Sequence, residues 1–161
     1  LIESIAIPEE RIKILRKNDN WKKTLEKLTN AKIELNDVVS IECEDYFMLK
    51  RLVLVIKAFG RGFNFDDALD LLDEDYQLEI INVKDYGKSK ERQRVLKGRV
   101  IGRGGRIKKI IEENCNAKIA VYGKTIGVIC KSTEIGKALE AIDMILSGSK
   151  HSTVIRFLRK S

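Results

Sequence analysis

The chain has 161 residues, 43% hydrophobic and 34% charged, with 31 Lys and Arg against 24 Asp and Glu and a formal net charge of +7. That length holds one domain or two small ones, the composition builds a core rather than a disordered chain, and no run approaches the ~18–20 apolar residues of a membrane helix. Cys43, Cys115 and Cys130 form no C-x-x-C pair and His151 stands alone, which sets aside disulfide frameworks, zinc sites and His-based triads and leaves the cysteines as small buried hydrophobes.

The start, Leu1-Ile2-Glu3-Ser4, lacks the features of a secretory signal and lacks an initiator Met. A cytoplasmic protein with a few residues missing upstream is expected. Glu3–Ile7 then reads as a strand, Glu9–Lys17 and Asn20–Thr29 as helices, and Lys32–Leu35 with Val38–Glu42 as a hairpin. Asp45–Phe59 is a long helix whose Phe47, Leu49, Leu52, Val53, Val55, Ile56 and Phe59 call for packing on two sides, ended by Gly60-Arg61-Gly62. The segment Phe65–Tyr76 carries Asp66, Asp67, Asp70, Asp73, Glu74 and Asp75 among Leu69, Leu71 and Leu72. It is either an exposed acidic turn or a protein-docking surface, and it marks a junction.

Beyond it, Tyr76–Val83 has strand character. Lys88–Ile101 is a basic helix with Val95, Leu96, Val100 and Ile101 as its apolar positions, broken by Gly102-Arg103-Gly104-Gly105. Arg106–Cys115 resumes as a helix with Ile107, Ile110 and Ile111 at i, i+3, i+4. Lys118–Tyr122 and Thr125–Cys130 form a hairpin around Gly123-Lys124. Ser132, Thr133 and Glu134 open a final helix through Ala138, Leu139, Ala141, Ile142 and Ile145, followed by a tail from Gly148 to Leu158.

These two series are one unit written twice. Asn30-Ala31-Lys32-Ile33 recurs as Asn116-Ala117-Lys118-Ile119, an offset of 86 that also lays Leu25 on Ile111, Trp21 on Ile107 and Leu15 on Ile101. One inserted residue then brings Val39–Cys43 onto Ile126–Cys130. The copies differ in charge. Residues 1–75 carry 12 Lys and Arg against 16 Asp and Glu, net −4, whereas residues 76–161 carry 19 against 8, net +11. Such segregation points to a polyanion-binding unit joined to one that is not.

Three readings of the glycine-rich loops compete. A phosphate-binding G-x4-G-K-[ST] loop ending in Gly87-Lys88-Ser89 needs glycine where Asn82 stands, and one ending in Gly123-Lys124-Thr125 needs it at Lys118. A dinucleotide G-x-G-x-x-G from Gly102 needs it at Ile107. The third reading is a loop between two helices, Val100-Ile101-Gly102-Arg103-Gly104-Gly105-Arg106-Ile107, and it resembles the KH signature: an apolar pair, Gly-x-x-Gly, then an Ile in the next helix. The β-α-α-β-β-α order is similar to the type I KH fold. The fold class expected is therefore α+β, two tandem type I KH domains over 1–75 and 76–161, each a three-stranded antiparallel sheet packed on helices, with a short C-terminal helical tail.

The resemblance implies that about four nucleotides of single-stranded RNA are clamped with their backbone on the Gly-x-x-Gly loop. The residues it assigns are Gly102, Gly104 and Gly105 for close backbone approach, and Arg106 at a positive helix start. Arg103, Lys108, Lys109, Lys97 and Arg99 add charge, and Val100, Ile107 and Ile119 line a base-accepting groove. Ile110 and Ile111 read as core. The first copy has Arg16-Lys17-Asn18-Asp19 at the loop, without glycine and with an acid, so it is expected to keep the fold without the grip.

A degenerate KH domain before an intact one resembles the partner-of-Nob family of small-subunit assembly factors, as do Asp85–Arg94 and the tail. That resemblance implies a non-enzymatic protein without cofactors that binds pre-rRNA near the 3′ end of the small-subunit RNA. Its implied partners are the endonuclease that matures this end and a translation initiation factor, with no membrane partner, and the lack of a long N-terminal extension suggests an archaeal member. The alternatives are the RNA-binding subunit of an exosome, which would place an S1-type barrel before its KH unit, and a general KH-type RNA binder.

Overall fold

The computed structural model describes residues 1–160. Two compact units divide at Glu74 and Asp75. In the first, β1 (Ile2–Ile5), α1 (Glu9–Arg16), α2 (Asn20–Thr29), β2 (Lys32–Leu35), β3 (Val39–Glu42) and α3 (Tyr46–Gly60) are followed by a short α4 (Phe65–Ala68) and a 3-10 turn, Leu69–Leu72. Strands β1 and β2 both pair antiparallel with β3, in the order β1-β3-β2. The second unit runs β4 (Tyr76–Asn82), α5 (Lys90–Ile101), α6 (Arg106–Cys115), β5 (Lys118–Tyr122), β6 (Thr125–Lys131), α7 (Ile135–Leu146) and α8 (His151–Lys160). Its sheet has the matching order β4-β6-β5.

The agreement between the units reaches individual hydrogen bonds. Helices α2 and α6 both end on an asparagine in the left-handed region, Asn30 (φ 57°) and Asn116 (φ 51°), 86 residues apart. Asn tolerates that conformation better than most residues. Glu26 Oε2 then accepts from the N–H of Ile33, and Glu112 Oε2 from that of Ile119, each at 2.9 Å. In both units an arginine of the first helix closes the C-terminal end of the third. Arg11 donates to the carbonyls of Phe59 (2.9 Å) and Phe63 (2.8 Å) and lies 4.1 Å over the Phe59 ring, and Arg99 donates to those of Ile145 and Ser149. A cation there satisfies orphan carbonyls and offsets the negative helix end. Burial pulls the Arg11 pKa below its ordinary value.

Each unit has its own core. In the second, Ile126, Val128 and Cys130 of β6 alternate onto Leu96, Val100, Ile107, Ile111 and Ile142, and α8 adds Val154 and Leu158. All three thiols are buried and unpaired, with Cys115 pushed up to about 11 and Cys130 also raised, both mainly by burial. No helix among the described residues is long and apolar enough to cross a membrane, and no cluster there could hold a metal ion.

Element ends differ from expectation for identifiable reasons. Strand β1 stops at Ile5 because its partner there, Val39, is the first residue of β3. Asp45 and Ser89 are N-caps rather than helical residues: Asp45 Oδ1 accepts from the N–H groups of Phe47 and Met48, and Ser89 Oγ from that of Arg92. Helix α3 runs through Gly60, whose missing Cβ makes room for Ile7; Gly62 takes the positive φ of 99°. That helix packs on two sides, against β1 and β3 and against α4 with its 3-10 turn, but Phe47, in its first turn, is 80% exposed. The acidic segment folds back onto α3 through Ala68 and Leu71, and Arg51 holds the carbonyls of Leu71 (2.7 Å) and Asp73 (2.9 Å). On α5 the buried positions are Gln93, Leu96 and Val100; Val95, expected in the apolar face, is exposed.

Candidate nucleic-acid interface

Helix α5 closes with the N–H of Gly102 on the carbonyl of Gly98 at 2.8 Å. Gly102 then adopts φ 75°, ψ 171°, a region open essentially to glycine. A Cβ there would stand 2.5 Å from Cγ1 of Ile107 and 2.9 Å from its backbone nitrogen, so both conformation and space require glycine. Gly104 (φ 61°) and Gly105 (φ 79°) are left-handed, with nothing within 4 Å of where a Cβ would sit. Their outer side is open.

Gly105 is also the N-cap of α6 and brings no side chain to its N–H groups. The first turn of a helix carries unpaired donors and the positive end of the dipole; here the N–H of Gly105 meets the carbonyl of Gly102 at 3.1 Å and that of Arg106 the carbonyl of Arg103, and no side chain caps the turn. Arg103, Arg106 and Lys109 are exposed, and none makes an ion pair among the described residues. Lys108 is half-buried at 3.5 Å from Glu112 Oε2. The loop is thus a glycine-rich, cationic element at a helix start, a combination whose chemistry suits an anion.

Four of the expected contributors are engaged within the fold. Arg99 spends its guanidinium on the end of α7, and its own carbonyl meets His151 Nε2 at 2.9 Å, which makes it a structural tie and not a free cation. Val100, Ile107 and Ile119 are buried in the core of the second unit, and Ile107 lies directly behind Gly102. Ile101, directly before the loop, and Val121 of β5 are half-exposed, Val121 packing partly on the core. Ile110 packs partly against the core and Ile111 fully within it. Lys97 Nζ donates to the carbonyl of Gly123 at 2.8 Å, tying α5 to the β5–β6 turn while staying half-exposed.

The equivalent segment of the first unit is built differently. Arg16 is held by Glu9 at 3.1 Å and by the carbonyl of Asn36 at 3.2 Å. Asp19 caps α2 with φ −106° rather than a left-handed turn, and pairs with Lys23 at 3.5 Å. The indole of Trp21 donates to the carbonyl of Leu15 at 3.0 Å. Leu15, Trp21 and Leu35, the counterparts of Ile101, Ile107 and Val121, line a groove of about 410 Å³ with Asn18, Asp19 and Lys22. This loop has a side chain at every position and an acid at its end.

Residues 77–161 match the family model of the second PNO1 KH domain, described as a eukaryotic-type (type I) KH domain. A KH domain-containing protein of Methanocaldococcus jannaschii is 36% identical over 99% of this chain and 73% of its own length. The pre-rRNA-processing protein pno1 of Aspergillus fumigatus is 30% identical over 65% of this chain and 43% of its own. Among solved structures, Dim2p from Pyrococcus horikoshii superposes with a TM-score of 0.90 at 36% identity, covering 100% of this chain and 99% of that one. A Pyrococcus horikoshii complex of a/eIF2alpha, aDim2p and rRNA matches with a TM-score of 0.90 at 36% identity over 99% and 93%. On this sequence and structural similarity, with the Gly102–Gly105 loop in place, the chain belongs to the PNO1 (partner-of-Nob) family of KH proteins.

Proposed function

We propose that this protein binds single-stranded RNA through its second unit, acts in assembly of the small ribosomal subunit, and engages (pre-)rRNA near the 3′ end of the small-subunit RNA. The carrying observation is the loop itself: glycines in conformations other residues avoid, an uncapped helix start, and three exposed cations without partners. Paired bases cannot enter a KH groove, which selects single strands. Gly102, Gly104 and Gly105 admit the sugar-phosphate backbone, while Arg103, Arg106 and Lys109 neutralise it; Lys108 and Lys97 flank them. Ile101 and Val121 offer apolar surface to bases.

We read the first unit as a degenerate KH domain that supports the second. The shared sheet order and the paired Glu26–Ile33 and Glu112–Ile119 bonds support that reading, as does a family model that numbers the matched domain as the second. The rRNA and initiation-factor subunit in the Pyrococcus complex make those two the partners to try first. The test is crosslinking to total cellular RNA with sequencing of the fragments. Enrichment of small-subunit rRNA 3′ ends is expected; crosslinks spread over messenger RNA would contradict the assembly role.

A further inference from the structure

Helix α8 leaves one face uncommitted. Val154 and Leu158 enter the core, while Ser152, Ile155, Arg156, Arg159 and Lys160, spaced i, i+3, i+4, i+7, i+8, line a groove of about 450 Å³ whose remaining wall is Arg106. Helix α8 contains no acid, and none of Arg106, Arg156, Arg159 and Lys160 makes an ion pair among the described residues. Four unneutralised guanidinium or ammonium groups around one isoleucine repel each other in the absence of an anion. Arg106 is also the first residue of α6, directly after Gly105, so this groove adjoins the loop at Arg106.

We propose that α8 is a second backbone-binding element for the same RNA strand. The strand leaves the Gly102–Gly105 loop past Arg106, lays its next phosphates against Arg156, Arg159 and Lys160, and covers Ile155 with a sugar or base face. The helical rise separates residues 152 and 160 by about 12 Å, a length spanned by a few nucleotides. Continuity at Arg106 and the cationic rim favour nucleic acid over any separate ligand. The inference rests on the RNA-binding reading above, which supplies the strand.

The experiment compares a four-nucleotide single strand, the length a KH clamp holds, with one of about twelve nucleotides. The proteins are the full chain, the double variant R156Q/R159Q, and the control K13Q/K27Q, which removes two exposed charges from the first unit. For the longer strand, R156Q/R159Q should lose at least about fivefold in affinity. Its salt dependence, log K against log [salt], should become shallower by about 1.4, the ~0.7 per phosphate expected of a single strand. Four-nucleotide binding and the melting temperature should hold, and K13Q/K27Q should bind both strands nearly as the parent does. Unchanged long-strand affinity and slope in R156Q/R159Q, or an equal loss in K13Q/K27Q, would overturn the role of α8 and leave the loop standing. Failure of the parent to bind the four-nucleotide strand would instead overturn the loop reading.

Discussion

Replacing Arg103 and Gly104 together with Asp puts two negative charges where the proposed function places a phosphate and leaves Gly102 and Gly105, which shape the turn, untouched. The swap changes the loop by three units of charge. A unit pair at ~4 Å is worth about 1 kcal/mol in water and about 4 at an effective dielectric of 20. The exposed loop lies near the first figure, yet losing one attraction and gaining two repulsions exceeds the ~1.4 kcal/mol that equals tenfold. The fold should survive: Gly104 is left-handed with open space around it, and a left-handed L-residue costs roughly 1–2 kcal/mol, less where Asp is the residue accepted. Fluorescence anisotropy with a labelled single-stranded RNA should show at least a tenfold loss, alongside a melting curve that confirms folding. K17D/N18D in the first unit should lose clearly less. A folded R103D/G104D that binds normally, or equal losses at both loops, would refute the clamp.

Three further outcomes follow from the geometry. Binding of a short single strand that occupies the loop alone should weaken with salt at a slope of about −3 if roughly four phosphates are neutralised, and duplex RNA should compete poorly; a slope near zero would assign the basic half another purpose. G102A should destabilise the second unit by about 1–3 kcal/mol, since the new methyl overlaps Ile107 and the backbone there suits only glycine, measured by urea unfolding; a neutral substitution would mean the loop is not held as described. Tyr86 donates to Asp143 at 2.6 Å, and that bond, then burial and nearby carboxylates, lifts its pKa from 10.0 to about 12. Because the folded state holds this proton more tightly, the stability it lends is complete below pH 10 and is lost as pH rises towards 12; Y86F should flatten stability over that window, and an unchanged slope would contradict the assignment.

Much of the fold was legible because the chain states it twice. The offset of 86 predicts the same order of strands and helices in both units, and its exact spacing also relates Glu26 to Glu112, whose carboxylates accept from the strand residue three positions past the Asn turn. Gly102–Gly105 was legible because its backbone needs glycine. What was not legible depends on partners far along the chain. Arg99 reads as one more cation on a basic helix until Ile145 and Ser149 are folded against it. Periodicity marked Val100, Ile107 and Ile119 as apolar, but periodicity tells which residues share a face, not whether that face meets a sheet or a ligand. The α8 face was hidden for the same reason: only the packing of Val154 and Leu158 turns Arg156 and Arg159 towards Arg106.

On the proposed function, the RNA backbone lies against the loop and first helical turn of residues 102–109, next to their main-chain N–H groups. Amide chemical-shift mapping of the full chain titrated with single-stranded RNA reads those groups one by one. The largest shifts should fall on Gly102 to Lys109 and decline with added salt, while Arg16 to Asp19 stay unmoved; shifts centred on the first unit, or absent from the Gly102–Gly105 loop at saturation, would contradict the account.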